Sequence, residues 1–303
     1  MNTFFAETTN VSAPATAREL TDLVAGLHAE ATPWLPCGLG SRLQWGAAVE
    51  MPSQPISVSG LKRIVDHAVD DLTITVEAGL PLADLQMALR EQQQWLPVNW
   101  PWGSQPRSDP NSAGSVGGLV ARGLAGGLRQ RHLGIRDQLI GIGLLRSDGI
   151  VAHAGGRVVK NVAGYDLMRL LCGSWGSLAL ITELTLRCQP IRQARKSLRL
   201  DGSLEALEAW RAELLRTSFT PEYCDWIKTD SDAWHLKIGV ASVSDQAVNE
   251  QIAGLQSLAE QHQRGTEQQT WLDVAARPLI EALKQQFDPK QQLARGQLPG
   301  VSC

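Results

Sequence analysis

Apolar positions recur at three- and four-residue intervals through Leu20, Leu23, Val24 and Leu27, the spacing of one buried helix face. Pro33 and Pro36 end that helix, and a short apolar strand leads into Gly38-Leu39-Gly40-Ser41-Arg42. The same spacing predicts a second helix over Leu61, Ile64, Val65 and Ala68. Strict alternation then predicts a strand over 72–77, stopping at Ala78-Gly79. Leu82, Leu85 and Leu89 mark a third helix, with Pro81 near its start. Between Pro97 and Pro110 four prolines interrupt every regular period. This predicts an extended loop leading into Ser115-Val116-Gly117-Gly118-Leu119-Val120-Ala121.

Further along, 138–145 and 149–154 read as paired strands joined through Asp148-Gly149, and 178–188 supplies another strand ended by Pro190. Past about residue 189 the glycines thin out. The pattern becomes strand (196–200), helix (203–216), strands (223–228 and 235–240), helix (245–261) and a final strand near Thr270, a ferredoxin-like order. The expected architecture is therefore α+β. A first domain spans 1–189, with subdomains at about 15–79 and 80–189, and a smaller α+β cap with a polar returning tail spans 190–303.

Composition adds exclusions. The chain has 303 residues, 43% hydrophobic and 19% charged, the balance of a soluble globular protein. A net charge of −3 provides no basic field for nucleic acid. No window approaches the ~20 apolar residues that span a bilayer, and 1–18 lacks a basic-then-apolar leader, so a cytoplasmic location is expected. The five cysteines are scattered and never paired as Cys-x-x-Cys, which argues against disulfides, zinc or an iron–sulfur cluster ligated by this chain. His235 and His262 are isolated, and no metal site is expected.

Two segments could hold anions. Gly38-Leu39-Gly40 fails the dinucleotide-helix fingerprint because Leu43 stands where a third Gly or Ala is needed. What remains is a loop whose amides can form an anion nest, with Ser41 adding a hydroxyl and Arg42 a charge. Ser115, Gly117 and Gly118 open a helix whose first-turn N–H groups lack intrahelical partners and attract an anion. The competing readings are an ordinary turn and a close helix packing. A third segment sets Gly123, Gly126, Gly127 and Gly134 among Arg122, Arg129, Arg131 and His132. It suits a flat, partly anionic ring system or, alternatively, a solvated loop, with His132 structural or exposed rather than catalytic.

The most specific pattern is Lys160-Asn161-Val162-Ala163-Gly164-Tyr165-Asp166, followed by Gly173-Ser174-Trp175-Gly176 running into Leu180-Ile181-Thr182-Glu183. With the two upstream glycine segments it resembles the vanillyl-alcohol oxidase and para-cresol methylhydroxylase (PCMH) flavoproteins. Within them it is most similar to the small FAD-binding subunits of bacterial glycolate oxidase or glycolate dehydrogenase. The resemblance runs from about Ala31 to Pro190, with a weaker echo at Phe287-Asp288-Pro289. It implies a PCMH-type FAD-binding domain with non-covalent FAD. Gly38, Gly40, Ser41, Ser115, Gly117 and Gly118 would enclose the pyrophosphate, Gly173, Gly176 and Ile181 would meet the adenosine and ribityl portions, and Lys160, Asn161 and Gly164 match the signature.

By the same resemblance the chain oxidises a short 2-hydroxy acid, glycolate to glyoxylate. The resemblance also implies as partners a larger flavin-binding subunit and an iron–sulfur subunit, through which any membrane association would run. Only about 110 residues follow Pro190, and the histidine-rich substrate motif of the wider family is not visible. No catalytic residue is assigned, and two alternatives stay open: a non-catalytic FAD-binding or electron-relay subunit, and a sugar-nucleotide reductase of the same fold.

Overall fold

Leu20, Val24 and Leu27 are buried on one face of α1 (Ala17–Ala29). The computed structural model describes residues 11–45, 54–99, 113–156, 167–228 and 233–265. Thr16 Oγ1 accepts from the Glu19 N–H at 3.1 Å while the Glu19 carboxylate accepts from the Ala15 N–H at 2.9 Å, a reciprocal cap that fixes where α1 starts. After it, β1 (Trp34–Cys37) runs parallel to β2 (Gln54–Ser57).

The helix expected over Leu61, Ile64, Val65 and Ala68 is instead a strand, β3 (Ile64–Ala68). Its spacing mimics a helix face, yet Ile64 and Val65 are exposed, so those positions do not point to one buried side. β3 pairs antiparallel with β4 (Thr73–Glu77), with an irregularity at Val65 that re-aims the side chains. Glu77 secures the pairing: its carboxylate accepts from the Arg63 N–H at 2.8 Å and from the Arg63 guanidinium at 2.8 Å and 3.0 Å. Long-range pairing overrides a local helical spacing here, helped by the β-branched Ile64 and Val65.

The helix at Leu82, Leu85 and Leu89 forms as α2 (Leu82–Glu91), followed by β5 (Gln94–Trp95). Then come α3 (Val116–Arg122), two single turns α4 (Arg129–His132) and α5 (Ile135–Gln138), and the expected hairpin of β6 (Leu139–Leu145) and β7 (Val151–Gly155). Gly149 takes φ +82° at its turn, which Asp148-Gly149 is suited to supply. α6 (Leu167–Leu171) precedes β8 (Leu180–Arg187) and β9 (Gln189–Pro190). The main sheet is antiparallel throughout, in the order β3-β4-β8-β6-β7. It packs Ile74, Val76, Ile142 and Leu184 into one core with α1, α2 and α3.

The chain divides into two compact units, Met1–Arg192 and Gln193–Cys303. The second contains β10 (Ala194–Asp201), α7 (Leu204–Leu214), β11 (Tyr223–Lys228), β12 (Trp234–Ser242) and α8 (Asp245–Gly265). Its sheet is antiparallel in the order β10-β12-β11, the α+β succession expected for the cap. Its own core joins Leu236, Ile238 and Val240 to Trp210, Leu214 and Leu255. The strand expected near Thr270 and the echo at 287–289 lie outside the described residues. Among the described residues no helix is long and apolar enough to cross a membrane.

Candidate functional site

A cleft of about 220 Å³ opens in the first unit, where the loop after β1 meets both ends of α3 and the start of β8. Nine of the sequence-predicted residues line it: Gly38, Gly40, Ser41 and Arg42 from the loop, Ser115, Gly117 and Gly118 from the helix start, and Gly176 and Ile181. Gly173 stands outside the lining, where its N–H donates to Val120 O at 3.0 Å and docks the turn on the end of α3. Lys160, Asn161 and Gly164 lie outside the described residues.

The glycines make the cleft by letting backbones approach. A Cβ at Gly38 would overlap Ser115 Oγ, and one at Gly117 would lie 2.8 Å from both Ala78 Cβ and Ala78 O. Gly176, at φ +80°, would place a Cβ 2.8 Å from Pro36 Cγ on β1. A side chain at Gly38 would force the loop from the start of α3, one at Gly117 would force α3 from Ala78, and one at Gly176 would force the turn before β8 from β1.

The first turn of α3 does not present free amides. Its N-cap Ser115 Oγ accepts from the Gly118 N–H at 3.1 Å, while Val116 N–H donates to Leu80 O at 2.9 Å and Gly117 N–H to Ala78 O at 2.8 Å. The expectation that these N–H groups await an anion is therefore corrected. Ala78 and Leu80, between β4 and α2, and the cap Ser115 supply acceptors that satisfy them, so Gly117 and Gly118 contribute bare surface rather than hydrogen bonds.

The charge in the cleft comes from two arginines. Arg42 is only 5% exposed; its guanidinium passes Gly114, whose φ of +75° and missing side chain leave room, and donates to Ala113 O. Arg122, at the far end of α3, donates to Arg42 O at 2.6 Å and lies 3.9 Å over the Trp175 ring. Among the described residues neither guanidinium meets a carboxylate, and Arg42 Nε and Arg122 Nη1 are buried without a hydrogen-bond partner. Burial, and secondarily the field of Arg122, push the Arg42 guanidinium down to about 10, and burial lowers Arg122 as well. One buried and one partly buried cation, each with an unfilled donor and walled by glycine, suit a phosphorylated ligand.

A sequence model of the family described as "FAD binding domain" matches residues 9–155. Residues 9–155, just under half of the chain, are thus similar to an FAD-binding domain. It is 35% identical over 175 residues to the glycolate oxidase subunit GlcE of Escherichia coli (strain K12), covering 57% of this chain and 47% of that one. It is 30% identical over 180 residues to the mitochondrial D-lactate dehydrogenase [cytochrome] of Arabidopsis thaliana, covering 59% and 30%. A solved alkyldihydroxyacetonephosphate synthase has the same fold, with TM-score 0.67 at 15% identity over 84% of this chain and 52% of that one. The chain thus spans half or less of the length of these two relatives.

Within the first unit the basic glycine segment divides. Arg122 joins the cleft, whereas His132 is buried elsewhere: its Nδ1 meets Gln189 Oε1 at 2.7 Å, its carbonyl accepts from Gln138 Nε2 at 2.5 Å, and its ring stands edge-on to Trp95. The structural reading of His132 fits this environment. Sequence reasoning grouped Arg122 with the basic glycine segment rather than with the anion-holding loops, and it gave Trp175 no role. Arg122 could have been found because it follows Gly118 by four residues and shares its helix face. Trp175 could have been found because it sits between two glycine bends; it takes φ +58° and its N–H donates to Ala121 O at 2.8 Å.

Proposed function

We propose that this chain is the FAD-binding subunit of a complex that oxidises a small 2-hydroxy acid, glycolate to glyoxylate. The observation that carries the FAD half is the glycine-walled cleft with two guanidiniums lacking a counter-anion, in a chain whose residues 9–155 match the FAD-binding family. Support for the substrate half is the similarity to proteins named as a glycolate oxidase subunit and a D-lactate dehydrogenase. Bound non-covalently, FAD would accept a hydride equivalent from the hydroxyl-bearing carbon and pass electrons onward.

This chain's residues would hold the cofactor. Arg42 and Arg122 neutralise its phosphates, Gly38, Gly40, Ser41, Gly117 and Gly118 let it approach the backbone, and Gly176 and Ile181 bound the wall toward β8. The proposed partners are a larger flavin subunit and an iron–sulfur subunit, in the cytoplasm, with membrane association through those partners.

The test is reconstitution of the purified chain with FAD, followed by desalting and anaerobic addition of glycolate, alone and with the co-expressed partner subunits. A yellow protein whose flavin band bleaches with glycolate is the expected result. A colourless protein after reconstitution overturns the FAD assignment. Flavin that stays oxidised in the complete complex with glycolate, D-lactate and D-2-hydroxyglutarate, yet bleaches with NADPH, replaces this reading with a reductase.

A further inference from the structure

Trp175 stands where its backbone conformation disfavours it. It takes φ +58° between Gly173 at φ +81° and Gly176 at φ +80°, a region in which a bulky side chain is strained and a third glycine would not be. The turn itself is rigidly docked. Gly173 N–H donates to Val120 O at 3.0 Å and Trp175 N–H to Ala121 O at 2.8 Å, which satisfies carbonyls in the last turn of α3, and Gly176 lies close against Pro36 of β1. These backbone contacts do not require an indole. The ring makes one distinctive contact: it is 49% exposed, and the Arg122 guanidinium lies 3.9 Å over it. A strained residue kept for its side chain points to a role for that side chain. The other end of Arg122 reaches the loop after β1, where Nη2 donates to Arg42 O at 2.6 Å, the same carbonyl that accepts from Trp45 N–H at 3.2 Å. Arg122 therefore touches two walls of the cleft, the glycine loop through Arg42 O and the docked turn through Trp175. Its Nη1 has no partner, so a ligand can be met without releasing either contact.

We propose that Arg122 is a strap between the glycine loop and the turn before β8, and that Trp175 is its anchor, a positioning residue that governs how often the cleft opens. The turn is fixed to α3 and β1, so the loop is the wall that moves. Ligand exchange then waits on the loop parting from the strap. Because the strap stays closed over a bound ligand as well as in its absence, weakening it speeds entry and release alike. Affinity is left nearly unchanged. The proposal concerns the regulation of exchange at this cleft, and it rests on the FAD-binding reading only for the identity of the molecule that enters.

The experiment uses the full chain as wild type, Trp175→Leu, Trp175→Phe and Trp175→Gly. Hydrogen exchange of residues 38–45 is followed in the apo proteins, and FAD association and dissociation are followed by stopped-flow flavin fluorescence. Trp175→Leu keeps an apolar side chain but has no π face. It is expected to speed exchange in 38–45 and to raise both rate constants roughly twofold to thirtyfold, the span of one cation–π contact, with Kd within about threefold of wild type. Trp175→Phe, which restores a π face, should recover most of the wild-type rates. Trp175→Gly relieves the backbone strain while losing the ring, so it should match the leucine variant in its rates yet melt no lower than it. Wild-type exchange and rates in Trp175→Leu overturn the strap. So does a faster release with unchanged entry, which would make Trp175 an ordinary ligand contact, and so does failure of phenylalanine to rescue. A wild-type chain that binds no FAD overturns the proposed function instead, and the exchange of 38–45 in the apo proteins then decides the strap by itself.

Discussion

Replacing Gly38 by alanine isolates what the loop glycine does before any cofactor binds. The backbone tolerates the change, since Gly38 is not among the positive-φ residues. The added Cβ, however, would overlap Ser115 Oγ and lie 3.1 Å from Ser115 Cβ. Two costs follow. Ser115 Oγ must leave the position from which it accepts the Gly118 N–H, forfeiting an N-cap worth about 1 kcal/mol. The loop and α3 must also separate, an overpacking penalty of about 1–3 kcal/mol. A destabilisation of roughly 2–4 kcal/mol is expected for Gly38→Ala. Ser115→Gly removes both clashing atoms and, as a glycine N-cap, costs only a few tenths of a kcal/mol on its own. The double variant should then be nearly as stable as Ser115→Gly alone, giving a coupling energy of about 2 kcal/mol. Urea unfolding of the four apo proteins measures this cycle. Additivity within about 0.5 kcal/mol would refute the reasoning, because it would mean that Gly38 and Ser115 do not meet.

Further outcomes follow from the same geometry. Gly176→Ala, strained at φ +80° and pressed against Pro36, should destabilise the apo chain by about 1–3 kcal/mol and also weaken FAD binding, read by calorimetry and flavin titration. His132→Ala should cost about 2 kcal/mol through the lost Gln189 and Trp95 contacts while leaving FAD affinity unchanged, which a parallel melt and titration will show. Burial pushes the thiols of Cys37 and Cys188 up to about 12 and that of Cys224 up to about 11, against an ordinary 9.0. The unfolded chain releases these protons first, so their stabilising contribution is complete below about pH 9 and is lost as pH rises from there through 11 to 12. Urea midpoints across that window should fall, and replacing Cys37 and Cys188 by alanine should flatten the decline. Native Cys37 and Cys188 should also resist alkylation at pH 8 until urea exposes them.

Much of the fold was legible because its signals are local. The helix over Leu20 to Leu27, the strand over 73–77, the Asp148-Gly149 hairpin and the helix-strand succession after residue 193 all follow from side-chain period and turn chemistry. The second unit was read nearly element for element. The strand at 64–68 was misread because Leu61, Ile64, Val65 and Ala68 happen to fall at helical spacing; the pairing with β4 and the Glu77 carboxylate decide its conformation. At the site, the glycine positions were legible and the hydrogen bonding was not. Ser115-Val116-Gly117-Gly118 reads as a row of vacant donors only until the acceptors of 78–80 are placed beside it.

The sequence by itself determined where side chains are missing and which elements those gaps interrupt, and from these the class of cofactor. That information is local, written in residue type and spacing. Tertiary structure alone decided how the gaps are used: that the loop at Gly38 touches the cap of α3, that the first-turn amides are consumed internally, and that Arg122 comes to lie against a residue 80 positions earlier. Hydrogen-bond satisfaction and charge balance depend on which distant segments meet, and only the folded chain specifies that.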